Sequence, residues 1–388
     1  MTARVLIDGH MLGAGETGNE TYLRGLLSGL SELGLREVVA VTDAGVDVGE
    51  HERVVLPHRS DVRRLTTDLA AAARRLGADV IHCTYAAPLS NAVPTVVTVH
   101  DVSFVRHPDW FTLRDRAVLR AGVRLSLRRA ARVLVPSGHA RDELCALLGA
   151  DPRRVVVTPE GVDPQFTPLS DQTSHDPAKA AEVDRFFRRL GIHRPYVLAL
   201  GDLQPRKNLS RLVEAWAILA ADESDLGRRL VIAGGFRGRK DSATGLPVKL
   251  HIGERVAFPG HVRDEDLGLL YGAAEVFVMP SLYEGFGLPV LEAMACGTPV
   301  ACSGTTALPE VAGGAAALFD PEDPADIAAA LRSLIADEAL RADLRERGLR
   351  RASQAGWRAC AELTAAAYEA AASESRAGTP RTAASRRP

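Results

Sequence analysis

Short apolar runs alternate with amphipathic stretches along most of the chain. Residues 4–7 read Arg-Val-Leu-Ile, a run of strand type. Residues 19–33 then set Tyr22, Leu23, Leu26, Leu27 and Leu30 at three-to-four spacing, which predicts a helix. Strands are predicted at 38–41, 53–56, 80–83, 95–99, 133–135 and 155–157, with helices at 61–76, 113–129 and 137–148. The strands are nearly all apolar rather than alternating. Such strands belong to a parallel sheet covered by helices on both faces.

Between Asp163 and Arg194 the texture changes to a polar stretch punctuated by Pro164, Pro168 and Pro177, with Pro195 just beyond. The α/β rhythm then restarts, with strands at 196–200, 230–233, 256–258, 276–279 and 299–301, a helix at 209–221 and closing helices at 323–335, 337–351 and 356–372. The expected fold is α/β, with two Rossmann-like doubly wound domains facing each other across a cleft. The expected division is a first domain over 1–165, a linker over 166–194 and a second domain over 195–355. A helix over 356–372 returns to the first domain, and 373–388 forms a disordered tail rich in arginine. In such sheets ligands bind outside the carboxyl ends of the strands.

Composition narrows the function. The chain has 388 residues, 46% of them hydrophobic, enough for two cores. Its formal net charge of −2 gives no global basic field, so no nucleic-acid partner is expected. Cys83, Cys145, Cys296, Cys302 and Cys360 are odd in number, widely spread and lack a Cys-x-x-Cys pair, against a disulfide framework or a zinc site. No apolar run reaches the ~18 residues of a spanning helix, and the start lacks the pattern of a secretory leader, so a cytoplasmic enzyme is expected.

The chemistry concentrates in Ser281-Leu282-Tyr283-Glu284-Gly285-Phe286-Gly287-Leu288-Pro289-Val290-Leu291-Glu292-Ala293-Met294-Ala295-Cys296-Gly297-Thr298-Pro299-Val300. A glycine loop leads from a strand into Pro289, suited to a first helical turn whose N–H groups favour an anion. Glu284 lies in the loop and Glu292 one turn into the helix. Acidic residues at a helix start can merely complement its dipole. Here both glutamates, both glycines and the proline occur together. A second loop, Leu200-Gly201-Asp202-Leu203-Gln204-Pro205-Arg206-Lys207-Asn208, places two cations where a diphosphate leaving group could be neutralised. His100-Asp101 ends a strand of the first half, and Gly13 to Glu20 form a glycine-rich loop after the first strand.

These segments resemble glycosyltransferase family 4, retaining enzymes of the GT-B fold, and their wording is closest to mannosyltransferase-like members. The resemblance is dense over 201–320 and looser back to Ile7. It implies that Glu292 holds the donor ribose, that Glu284 contacts the transferred sugar, and that Gly285, Phe286, Gly287 and Leu288 contact sugar and phosphate. Lys207 matches the family's pyrophosphate-binding lysine. Many members also carry arginine where this chain has Asp202, so the arginine role is assigned to Arg206. The resemblance places His100 beside the sugar, with Asp101 among the donor contacts. It further brings Gly18 and Gly201 close to the donor and gives the nucleobase to the backbone at Val262 and Arg263. Glu160-Gly161-Val162-Asp163 stands where many members have Asn-Gly-Val-Asp.

The expected activity is transfer of a hexose, with retention, from a nucleoside diphosphate sugar to a hydroxyl acceptor. GDP-mannose is the first donor expected, and the acceptor is a glycan, a lipid-linked saccharide or a small natural product. No cofactor and no metal are expected. A GT-B nucleotide-sugar 2-epimerase and a non-catalytic nucleotide-sugar-binding protein are the alternatives. A NAD-dependent dehydrogenase is disfavoured, because no tight G-x-G-x-x-G follows the first strand. Finally, Arg114, Arg116, Arg120, Arg124, Arg128, Arg129 and Arg132 form a basic stripe, read as a solvated helix face or a peripheral membrane contact.

Overall fold

The computed structural model describes residues 3–13, 17–58, 60–90, 93–169, 177–222, 227–235 and 242–378. The contacts divide the chain into two units, Met1–Glu160 with Trp357–Pro388, and Gly161–Gly356. The strands of the first unit are β1 (Val5–Asp8), β2 (Val38–Val41), β3 (Glu52–Val55), β4 (Val80–Thr84), β5 (Thr95–Thr98), β6 (Arg132–Val135) and β7 (Val155–Val157). Those of the second are β8 (Tyr196–Leu200), β9 (Arg229–Ala233), β10 (Val256–Gly260), β11 (Val276–Met279), β12 (Val300–Ser303) and β13 (Ala316–Phe319). The principal helices are α1 (Thr17–Glu32), α2 (Leu69–Leu76), α3 (Leu113–Arg129), α4 (Gly138–Leu148), α5 (Pro177–Leu190), α6 (Leu209–Asp222), α7 (Asp264–Gly272), α8 (Leu288–Ala295), α9 (Pro324–Ala336), α10 (Glu338–Ser353) and α11 (Trp357–Gly378).

The first unit holds a parallel sheet in the order β3-β2-β1-β4-β5-β6-β7, and the second a parallel sheet in the order β10-β9-β8-β11-β12-β13. Each is doubly wound. The first strand of each unit (β1, β8) lies inside its sheet and the chain extends to both sides of it, which creates a switch point at β1/β4 and at β8/β11. The Val, Leu and Ile runs of β1, β2, β4 and β11 are buried along their whole length, as strands covered on both faces require. The core of the second unit packs Trp216 and Leu212 of α6 and Leu331 of α9 against Val197, Leu230 and Val276 of the sheet.

Local signals explain several helix starts. Thr112 accepts a hydrogen bond from the Asp115 N–H (3.1 Å) to cap α3, and Ser137 accepts from the Ala140 N–H (3.0 Å) to cap α4. The helix expected over 61–76 is interrupted by a π-helical turn at Arg64–Asp68. That turn carries Arg64 into the interior, where its guanidinium meets the buried Asp8 carboxylate at the end of β1. A buried ion pair of this kind overrides the simple 3.6-residue period.

Two boundaries differ from expectation. The stretch read as a linker over 166–194 contains α5, which buries Val183, Phe186 and Phe187 within the second unit. Its prolines bracket an amphipathic helix rather than an open connection. Residues 170–176 lie outside the described ones. The tail read as disordered from 373 begins as helix, because α11 runs on to Gly378, pinned by ion pairs from Glu374 to Arg132 and from Arg376 to Asp79. Residues 379–388 lie outside the described ones. Arg132 therefore leaves the stripe of arginines that precedes it.

Helix α11 groups with the first unit. Trp357 lies where side chains on Gly25 and Gly29 of α1 would stand: an added Cβ on Gly25 would meet its ring at 2.0 Å, and one on Gly29 its backbone carbonyl at 2.3 Å. Gly29→Val should therefore force α1 and α11 apart and lower stability by about 2–3 kcal/mol. Urea unfolding followed by tryptophan fluorescence checks this.

Candidate active site

Three charged residues of the second unit meet at the carboxyl ends of β8 and β11, on the two sides of the switch point. The loop after β8 carries Arg206 and Lys207, and the loop after β11 carries Glu284. Lys207 Nζ donates to Glu284 Oε1 at 2.7 Å, and Arg206 Nη1 donates to Glu284 Oε2 at 2.8 Å. The lysine and glutamate side chains are only 11% and 9% exposed. Burial would push the Glu284 carboxyl up. The Arg206 and Lys207 charges and the Lys207 hydrogen bond outweigh it and hold the pKa at about 2. Burial also pushes the Lys207 ammonium below its usual value, against the pull of Glu284.

The backbone makes this grouping possible. The Leu282 N–H donates to the Arg206 carbonyl (2.8 Å), which ties the two loops together. The Glu284 N–H donates to Thr306 Oγ1 (3.2 Å) in the loop after β12. Gly201 and Gly234 end neighbouring strands so closely that a Cβ on Gly234 would lie 2.0 Å from the Gly201 carbonyl oxygen. A Cβ on Gly201 would meet Lys207 Cε at 3.2 Å, so the glycine leaves the lysine stem its path.

Two supporting residues were not assigned from sequence. Asn208, buried and left-handed at φ 57°, donates to the carbonyls of Pro280 (3.0 Å) and Pro321 (2.7 Å) and accepts from Arg211 (2.9 Å). It fastens the loops that follow β8, β11 and β13. Its signal was present, an asparagine directly after two cations at a helix start, but its partners are remote in sequence. Tyr271 of α7 donates its hydroxyl to Glu292 Oε2 at 2.8 Å. That fixes the second glutamate, which is 8% exposed on α8.

The remaining assigned residues fall as follows. Gly287 begins α8 at φ 121°, where an added Cβ would strike Leu308 at 2.5 Å. Gly285, Phe286 and Leu288 adjoin it and are buried. Leu203, Ile232 and Phe258 line an apolar recess with Gly201, Gly234 and Gly260, at the ends of β8, β9 and β10. Val262 is buried beyond β10. Arg263 precedes α7, and its exposed side chain turns back to Glu265 and Asp266. Asp202, at the position where an arginine was sought, accepts from the Gly235 N–H at 3.1 Å and orders the loop after β9.

In the first unit, His100 follows β5. Its Nδ1 is 3.0 Å from Glu160 Oε1, and the ring meets Tyr22 edge-on at 4.5 Å. Asp101 accepts from the Ser103 N–H (2.9 Å) and hydroxyl (2.6 Å), so it stands as a turn-forming residue. Gly18 is exposed in α1 with open space around it, while residues 14–16 of the same loop lie outside the described ones. No group of three metal-ligating side chains occurs among the described residues. Among them too, no helix is long and apolar enough to cross a membrane.

The sequence profile for "Glycosyl transferases group 1" matches residues 182–351, and that for "Glycosyltransferase Family 4" matches residues 17–166. The chain is 34% identical over 275 residues to O-antigen chain mannosyltransferase B of Escherichia coli, covering 71% of this chain and 70% of that protein. It is 35% identical over 308 residues to a D-inositol 3-phosphate glycosyltransferase of Geodermatophilus obscurus, covering 75% of this chain and 64% of that one. The structure resembles sucrose-phosphate synthase from Thermosynechococcus elongatus, with a TM-score of 0.75 and 22% identity over 97% of this chain and 100% of the other. It also resembles Anabaena HepE in complex with UDP and glucose, with a TM-score of 0.72 and 19% identity over 95% and 99% of the two chains.

The ion trio yields a signed prediction. Glu284→Gln leaves the buried Lys207 ammonium without its counter-charge and should destabilise the protein at pH 7 by about 3 kcal/mol. Because the wild-type carboxylate titrates at about 2, its contribution is fully present above the ordinary glutamate value and lost as pH falls through its own. The gap between wild type and variant should therefore close between about pH 4.5 and 2, read from urea unfolding at a series of pH values.

Proposed function

The chain belongs to the family 4 glycosyltransferases of the GT-B fold and is a hexosyltransferase, and from that premise we propose that it moves a hexose, with retention, from a nucleoside diphosphate sugar to a hydroxyl acceptor. The observation that carries this reading is the buried meeting of Lys207, Arg206 and Glu284 at the β8/β11 switch point. On this reading the two cations take up the charge that develops on the diphosphate as its bond to the sugar C1 breaks. They supply the counter-charge without a divalent ion. The acceptor oxygen bonds to C1 from the face the phosphate leaves, and its proton passes to the departing phosphate oxygen. Glu284 and His100 orient the sugar hydroxyls, Glu292 accepts from the ribose, and the backbone at Val262 and Arg263 holds the base.

GDP-mannose is the first donor to test, supported by the mannosyltransferase likeness. The likeness to an inositol phosphate glycosyltransferase keeps other donors and small polyol acceptors in the panel. Lys207→Ala should lower kcat by about 10²–10³, the cost of removing one transition-state charge partner. Acceptor-dependent release of GDP or UDP from GDP-mannose and UDP-glucose checks it. Unchanged turnover in the variant, or product formed without any acceptor, would overturn the reading.

We also propose a lipid-linked acceptor at an anionic membrane, met by α3. Arg114, Arg120, Arg124, Arg128 and Arg129 are exposed there, and none forms an ion pair with a described residue. Leu113, Val118 and Leu125 are exposed among them (79%, 64% and 37%). Such a mixed cationic and apolar face suits a headgroup layer. At about 1 kcal/mol per arginine, Arg124→Gln with Arg128→Gln should weaken binding to phosphatidylglycerol vesicles about 30-fold. Co-sedimentation against phosphatidylcholine vesicles checks it.

A further inference from the structure

His100 and Glu160 come from segments sixty residues apart, one after β5 and the other after β7. Those strands flank β6 in one parallel sheet, so their carboxyl ends lie on the same side and the two side chains meet. The contact is short, 3.0 Å from Nδ1 to Oε1, and both side chains are shielded, at 13% and 7% exposure. Two aromatic rings also hold the imidazole. Tyr22 packs edge-on at 4.5 Å with its own hydroxyl fixed on Thr98 Oγ1 (2.9 Å), and Tyr85 lies 5.9 Å away. The other ring nitrogen, Nε2, is buried and has no hydrogen-bond partner among the described residues.

We propose that Glu160 is a positioning residue for the transferase reaction: it fixes His100 as the Nδ1–H tautomer, so that Nε2 is held as a lone-pair acceptor for a hydroxyl of the donor sugar. This deepens the glycosyl-transfer reading and rests on it.

The chemistry of the partner carries the argument. A carboxylate oxygen at this distance accepts, so Nδ1 is the donor, and when the ring is neutral that leaves Nε2 bare. An asparagine at this place would present both an acceptor oxygen and a donor amide and would leave the tautomer open. A bare, buried nitrogen without a partner is costly, and a hydroxyl donor removes that cost. Glu160 and Tyr22 hold the ring before substrate arrives, so its orientation and tautomer are set in advance.

The test uses the full chain labelled with ¹⁵N-histidine, with the His100 ring signals assigned by their loss in His100→Gln. At pH 8 the wild type should show a protonated Nδ1 and a bare Nε2. Nε2 should move on saturation with GDP-mannose or UDP-glucose, whichever is turned over, and stay put with the matching GDP or UDP. Glu160→Leu should lose the fixed tautomer and lower kcat by about 10–100-fold with donor KM changed less than about threefold, while Glu160→Gln, whose amide can either accept from or donate to Nδ1, should show a mixed tautomer and a kcat between those of wild type and Glu160→Leu.

A protonated Nε2 in the wild type would overturn the proposal, as would an unchanged tautomer and kcat in a folded Glu160→Leu. So would an Nε2 signal that ignores a sugar nucleotide the enzyme turns over. If the tautomer behaves as stated but no nucleoside diphosphate hexose is consumed, Glu160's hold on His100 is supported and the glycosyl-transfer reading is the one that fails.

Discussion

The buried carboxylate of Glu284 sets conditions that much of the second unit has to meet. A carboxylate at 9% exposure is costly to keep ionised, and it is kept so by an ammonium at 2.7 Å and a guanidinium at 2.8 Å. Those cations belong to a loop 77 residues away in sequence. Their meeting requires β8 and β11 to be neighbours, which only the doubly wound strand order provides. It also requires Asn208 to bind the loops after β11 and β13, and Gly201 to clear the path of the lysine stem. Loop geometry, strand order and site electrostatics are thus one problem with one solution.

The first unit solves a different problem with a chain of buried hydrogen bonds. Tyr368 of α11 lies 2.6 Å from His82 Nδ1, His82 Nε2 lies 2.7 Å from Thr98 Oγ1, and Thr98 meets the Tyr22 hydroxyl at 2.9 Å. Burial drives the His82 pKa down to about 3, so its ring is neutral and serves as a structural connector. Tyr22 then abuts His100. Helix α11 is therefore joined, through β4, β5 and α1, to the His100 ring. A buried polar chain that is fully paired rigidifies what it connects.

Much of this was legible in the sequence. The long apolar runs marked most of the strands, because a strand covered on both faces cannot alternate. The Glu284–Glu292 text and the Arg206-Lys207 pair marked the second unit's site. Helix α5 was missed because its prolines resembled those of an open connection, while the burial of Phe186 and Phe187 depends on neighbours distant in the chain. The π-helical turn at Arg64 was missed because its cause is the Asp8 carboxylate, far away in sequence. Asp202 was legible as a departure from the family's pattern. Only its contact with the Gly235 N–H shows what it does instead.

The sequence by itself determined the α/β class, the two sheets and the charged loops of the second unit, because strand burial, helix period and a dense motif are local properties. Tertiary structure alone decided which charges face one another. It put Glu284 between two cations, gave Glu292 to Tyr271, gave His100 to Glu160 and removed Arg132 from the arginine stripe. Hydrogen bonds and ion pairs act over about 3 Å. Whether two side chains come that close depends on strand order and loop packing across the whole unit, which no single segment encodes.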